Sequence, residues 1–260
     1  MPTMGALHDG HISLVNRAKK ECDFVAATIF VNPIQFGPKE DFKKYPRTLI
    51  ADKKLLKKSG VDLLFCPSCE HMYPQELSVF VDEIALSDHL CGLSRKGHFR
   101  GVCTVVTKLF NIVTPEVAYF GQKDYQQALI IKRLTRDLNF PVVIRICPTL
   151  RESDGLAMSS RNRYLSAVER LDAAVLYKAL CTGKNMIEHG ARDKDIILKA
   201  MIKVIGSIKS VSIDYLSLLN ADDLSECKII NSSVVLAGAI FIGGTRLIDN
   251  ILVKVKNEKN

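Results

Sequence analysis

Between residues 11 and 148, short apolar runs rich in β-branched residues alternate with amphipathic stretches, and this alternation constrains the fold more than any other feature of the chain. HISLVNRAKKEC places Ile12, Val15, Ala18 and Cys22 at three- and four-residue intervals, which predicts a helix beginning near His11. FVAATIFV at 24–31 then reads as a buried parallel strand. A long loop, NPIQFGPKEDFKKYPRT, leads to a lysine-rich helix over 49–59 and the strand VDLLFC at 61–66. An extended piece at 78–82 precedes the helix GVCTVVTKLFNIVT, the strand VAYFG at 117–121, the helix DYQQALIIKRLTRDL and the strand PVVIRIC at 141–147. Such alternation predicts an α/β fold, a Rossmann-like doubly wound parallel sheet.

The pattern changes near residue 149. A polar loop, TLRESDGLAMSSRNRYLS, is followed by amphipathic helices near 167–189 and 193–206, then by strands near 211–218, 234–242 and 247–255, with GGTR as a hairpin turn. Helices followed by consecutive strands describe a smaller α+β domain, so the expected division is 1–149 and 150–260. Ligands of open α/β sheets bind beyond the carboxyl ends of the strands, and a crevice between two domains usually adds to such a site.

Composition closes off several function classes. The longest apolar run, VVLAGAIFIGG at 234–244, is far shorter than a membrane-spanning helix, and no secretory leader pattern opens the chain, so a cytoplasmic protein is expected. Eight cysteines scattered through core-like segments suit free thiols in a reducing compartment. The pair Cys66 and Cys69, in CPSCEH, lacks a second ligand pair for zinc and a thioredoxin-like context, so it reads as a strand-end turn. The net charge of +8 invites a nucleic-acid partner, but the lysines are spread over helical faces without interleaved aromatic residues. An anionic small substrate accounts for the charge equally well.

The residues that follow each predicted strand are the site candidates. In PTMGALHDGH, His8 and His11 lie three apart, at the start of a helix whose free N–H groups favour an anion such as phosphate. Gly5 and Gly10 would let the backbone approach a nucleotide. After FVAATIFV come Asn32 to Phe36; after VAYFG come Gln122 to Gln127; after PVVIRIC the loop runs to Met158-Ser159-Ser160-Arg161. An attack on the α-phosphorus of a triphosphate builds negative charge, which positioned donors and cations stabilise; His8, His11, Lys123 and Arg161, with the Ser159 and Ser160 hydroxyls, are of the right kind. Gln35 and Gln127 can each donate and accept, as an acceptor with hydroxyl and carboxylate groups requires. Each has an ordinary reading as well. Asp124 with Lys123 is also a helix start, Gln35 and Gln127 are also surface glutamines, Ser159-Ser160-Arg161 is also a helix-capping loop, and His98 and Arg100 in KGHFRG also open a helix or bind an anion.

PTMGALHDGH, NPIQF, YPRT, GHFRGV, FGQKDYQQ and DGLAMSSRNRYLS, in this order and at these separations, resemble the pantoate–β-alanine ligase (pantothenate synthetase) family of the HxGH nucleotidyltransferase-like group. The resemblance runs from residue 2 to about 170. It implies that pantoate and MgATP form pantoyl adenylate and pyrophosphate, after which the amine of β-alanine attacks the acyl carbon to give pantothenate and AMP. It assigns Met4, Gly5, Ala6, Leu7, His8, Asp9, Gly10 and His11 to ATP, with His11 the family's proton donor. Gly121, Gln122, Lys123 and Asp124, Leu150, and Met158 to Arg161 also go to ATP, Gln35 and Gln127 to pantoate, and Asp52 to the magnesium environment. It further implies a homodimer acting on small molecules, with neither nucleic acid nor membrane as partner. Gln122 stands where glutamate is common and Leu150 where valine is common. Family members carry a strand leading into PTMG, and here the chain starts inside it. Three rival classes follow from the same residues: another nucleotidyl transferase, an RNA-binding fragment, and a zinc module on Cys66 and Cys69.

Overall fold

The computed structural model describes residues 1–38 and 40–255. Its elements, in chain order, are β1 (Pro2–Thr3), α1 (Asp9–Glu21), β2 (Ala26–Ile29), α2 (Leu49–Lys58), β3 (Leu63–Phe65), α3 (Cys69–Met72), α4 (Cys91–Ser94), α5 (His98–Val113), β4 (Val117–Gly121), α6 (Tyr125–Asp137), β5 (Val143–Cys147), α7 (Ala167–Asp172), α8 (Val175–Glu188), α9 (Lys194–Ile205), β6 (Val211–Asn220), β7 (Val234–Ile242) and β8 (Thr245–Val253). The chain divides into two compact units, Met1–Leu150 and Arg151–Asn260. No helix among the described residues is long and apolar enough to cross a membrane.

In the first unit every strand pairing is parallel, as the alternation predicts, but the hydrogen bonds fall into two groups, β1-β2-β3 and β4-β5. The two-residue β1 lies along β2, with the Thr28 N–H donating to Met1 O and the Phe30 N–H to Thr3 O. α1 serves two core clusters through successive turns: Leu14 and Ala18 pack with Val25, Tyr119 and Cys147, while Val15 packs with Leu7, Ala27 and Leu56. The extended piece expected at 78–82 forms no strand. α5 begins at His98, not at Gly101, because Gly97 takes a left-handed conformation (φ +79°) that only glycine adopts readily and turns the chain into the helix.

The second unit is an antiparallel meander, β6-β7-β8, packed with α8 and α9. Its core brings Leu176, Leu180, Ile197 and Met201 against Leu218, Leu236 and Ile240, all 0–3% exposed. The expected helix over 167–189 is broken into α7 and α8. Ser166 and Glu169 form a capping box that starts α7, and Gly243, at φ +54°, occupies the β7–β8 turn.

Candidate functional site

The turn from β1 into α1 positions both histidines. α1 starts at Asp9, two residues earlier than its apolar spacing indicates, because His8 acts as its N-cap: His8 Nδ1 accepts the Gly10 N–H at 3.2 Å. His11 returns the arrangement, its Nδ1 accepting the His8 N–H at 3.4 Å, and the two ring centroids lie 4.1 Å apart. A ring that accepts at Nδ1 carries its proton on Nε2 when neutral. His11 is neutral, since burial, with the neighbouring His8 and Lys123 charges, lowers its pKa to about 3 against an opposing influence of Asp124. It is therefore a neutral N–H donor at the positive end of a helix, and not a cation.

Lys123 and Asp124 follow β4, and their charges bear on His11, so the structure brings the QKD segment within electrostatic reach of the first motif. Lys123 Nζ is 3.8 Å from Asp124 Oδ1. Asp124 occupies the N-cap position of α6, yet its side chain makes no capping bond. Gly121 needs neither a left-handed backbone nor close packing, for a Cβ there would meet nothing within 4 Å. Gln126, one of the candidates that follow β4, is buried and structural: its amide bonds the Cys91 N–H, Leu86 O and His89 O. The adjacent Gln127 is partly exposed.

Gln35 is no surface glutamine. It closes the 3-10 turn Pro33–Gln35 after β2 and is 8% exposed. Its Nε2 lies 3.2 Å from Met4 Sδ, which joins NPIQF to the first motif. Asn32 Nδ2 donates to Gln35 Oε1 and to Gly101 O, and Asn32 Oδ1 accepts from the Tyr73 hydroxyl at 2.7 Å. From the other side His98 Nδ1 donates to Gln35 O at 2.8 Å, while Arg95, paired with Glu40, donates to His98 Nε2. Burial, then the Arg95 charge, lowers the His98 pKa to about 4. Gly101 completes the brace: a Cβ there would lie 2.5 Å from Ile34 O and 2.7 Å from Gln35 N. GHFRGV therefore does more than begin a helix. Arg100 stacks over Phe80 at 3.9 Å. The clue to Asn32 was a polar residue directly after a buried strand; nothing in the sequence ties Tyr73 to it.

Asp52 departs most from expectation. It is 3% exposed, and its carboxylate oxygens accept the Ala6 and Leu7 N–H groups and the Thr48 hydroxyl. It faces the chain's own backbone and the Thr48 hydroxyl. Among the described residues no group of three or more His, Cys, Asp or Glu is placed to hold a metal ion, and Cys66 and Cys69 are free thiols.

Leu150, the last residue of the first unit, is 39% exposed. Met158, Ser159, Ser160 and Arg161 belong to the second unit. There Ser159 Oγ accepts the Arg161 N–H and caps the 3-10 turn Ser160–Tyr164, and Ser160 is buried. The strand-like approach to this loop is held by Arg151, which pairs with Asp249 and donates to Gly155 O, and by Arg170, which pairs with Glu152 and Asp154.

Comparison with known proteins adds an independent line. The sequence model of a family described as pantoate-beta-alanine ligase matches residues 1–252. The chain is 53% identical over 253 residues to a pantothenate synthetase of Thermotoga petrophila, covering 97% of this chain and 90% of that protein. It is 51% identical over 257 residues to one of Moorella thermoacetica, with 99% and 91% covered. Among solved structures, pantothenate synthetase from Thermus thermophilus matches with a TM-score of 0.93 at 45% identity, covering 96% of this chain and 91% of that one. A pantoate-beta-alanine ligase from Francisella tularensis, complexed with beta-gamma ATP and beta-alanine, matches with a TM-score of 0.78 at 36% identity, covering 96% and 87%.

Proposed function

The chain belongs to the pantoate–β-alanine ligase family, and from that premise we propose that it condenses pantoate with β-alanine, driven by ATP, through a pantoyl adenylate. The observation that carries this reading is the histidine pair at the start of α1, with both Nδ1 atoms engaged by backbone and His11 held neutral beside the Lys123-Asp124 segment. That arrangement suits charge building on phosphoryl oxygens and gives little scope for general-base catalysis. None is needed. The pantoate carboxylate is already ionised when it attacks the α-phosphorus and displaces pyrophosphate. In the second step the β-alanine nitrogen, having given up its ammonium proton to solvent, attacks the acyl carbon, the acyl–phosphate bond breaks, AMP leaves, and a further amine proton passes to solvent.

In this reading Met4 to His11 and Gly121 to Asp124 take the nucleotide, with Lys123 supplying the cation and Gly121 the room for its approach. Gln35 and Gln127 hold pantoate, Gln35 being fixed by Asn32 and His98 before substrate arrives. Met158 to Arg161 and Leu150 are assigned to ATP by the motifs they share with the family. Magnesium, were it bound with the triphosphate, would supply charge neutralisation at the phosphates, and such an ion rarely needs an all-protein cage. Asp124, whose side chain makes no capping bond, would be a residue to hold it. A cytoplasmic homodimer acting on small molecules is part of the same proposal.

The test is ATP–pyrophosphate exchange with and without pantoate, in the absence of β-alanine. Exchange that requires pantoate is the expected result. Exchange indifferent to pantoate, or none, overturns the assignment.

A further inference from the structure

The turn between β1 and α1 does not hold its own shape. Gly5 and Ala6 are successive residues in the left-handed region, at φ +80° and +50°, and Ala6 has a Cβ that makes this conformation unfavourable. A strained turn of this kind persists only when its surroundings over-determine it. We propose that Asp52 is the positioning residue that does so: a buried carboxylate clamp on the Ala6 and Leu7 amides that sets where the two histidines begin.

The geometry is specific. Asp52 Oδ2 accepts the Ala6 N–H at 3.0 Å and Oδ1 accepts the Leu7 N–H at 2.9 Å, one oxygen for each of two consecutive amides and both from more than forty residues away in sequence. The carboxylate is itself oriented by the Thr48 hydroxyl, at 3.2 and 3.1 Å from its two oxygens. Thr48 stands at the N-cap of α2, where its side chain would ordinarily cap the helix; it bonds Asp52 instead. No ion pair engages Asp52 among the described residues; the partners of its carboxylate are two backbone amides and one hydroxyl. The fit leaves no slack, since a Cβ on Gly5 would lie 3.1 Å from Asp52 Oδ2. The residue after the clamped pair is His8, the N-cap of α1, and the residue before Gly5 is Met4, whose sulfur touches the Gln35 amide. One carboxylate thus sets the register of the phosphate-facing end of the motif.

The kinetic part of this inference rests on the ligase reading, whereas the structural part does not, and the test separates them. In the full chain, amide exchange at Ala6 and Leu7 is measured for wild type, Asp52→Asn and Thr48→Val, alongside pantoate-dependent pyrophosphate exchange. Asp52→Asn puts a donor where an acceptor stood. It should accelerate exchange of both amides at least tenfold and lower the exchange kcat by about 100-fold, the scale of an ångström-level misplacement, with pantoate KM and the magnesium requirement within about twofold of wild type. Thr48→Val should act in the same direction several-fold more weakly, and should add nothing in the Asp52→Asn background; if Asp52→Asn does not fold, the Thr48→Val amides decide alone. Unchanged amide exchange overturns the clamp, and so does a loss of activity that is restored by raised magnesium, which would make Asp52 part of a metal environment. Wild type without pantoate-dependent exchange would sink the ligase reading, while amide protection would still decide the clamp.

Discussion

The two units use burial differently. Strands of the first unit are two to five residues long, and those of the second are nine or ten. In the first unit Asn32, Gln35, Asp52, His98 and Gln126 are all buried polar side chains, and each is hydrogen-bonded to backbone or to another such group. In the second unit β7 is buried at almost every position, and the core is a continuous aliphatic cluster. Apolar burial is non-directional and suits a scaffold, whereas a buried polar group must be paired at a definite angle and therefore aims its neighbours. The first unit uses much of its interior for aiming; the second uses most of its interior for cohesion, with buried Asp249 holding Arg151.

That contrast breaks most visibly in stability. Leu180 is fully buried in the second core, and Leu180→Ala should destabilise that unit by about 2–5 kcal/mol, read as lost amide protection in β7 with β4 amides little changed. Equal losses in β4 would show that the two cores are not energetically distinct. His11→Ala should do the opposite: thermal unfolding close to wild type, with adenylate formation lowered by about 10²–10³, or roughly 3–4 kcal/mol in activation free energy. Near-normal exchange would remove His11 from the chemistry.

Smaller effects sharpen the comparison. Gly101→Ala forces the Pro33–Gln35 turn away from α5, so pantoate KM should rise about tenfold or more, roughly 1–3 kcal/mol, while ATP dependence changes little. His98 adds a pH signature. Its folded pKa, about 4, lies below the ordinary value of 6.5, so between these values the unfolded chain binds more protons. Stability of the first unit should therefore fall as pH drops from 6.5 towards 4, by up to about 1.4 kcal/mol per pH unit from this group, and His98→Gln should flatten the slope in urea titrations at pH 7 and 5. An unaltered slope would mean that His98 is not held neutral. Gln127→Ala should cost about 1 kcal/mol, seen as a several-fold rise in pantoate KM.

Most of the fold was legible because it rests on local periodicity. Strands at 117–121, 143–147, 234–242 and 245–253 and the four longer helices of the first unit, α1, α2, α5 and α6, fall where the patterns place them, within the few residues by which caps shift helix ends, whereas the one-turn helices α3 and α4 have no such pattern. His8 illustrates such a shift: apolar spacing cannot reveal that an imidazole will serve as N-cap. The site was legible in part. Motif order picks out His8, His11, Gln35 and Lys123; Asn32 stands among the strand-end candidates without a role, and nothing in the sequence ties Tyr73 or Asp52 to the partners they have.

What the sequence determined by itself is therefore the class of fold, the family, and the segments that carry chemistry, because periodicity and motif spacing are properties of neighbours along the chain. What only the tertiary structure decided is the state of those groups: that His11 is neutral, that Gln35 is held by Asn32 and His98, and that Asp52 faces two backbone amides. Protonation and hydrogen-bond partnership depend on desolvation and on groups brought together across tens of residues, and neither quantity exists until the chain has closed around them.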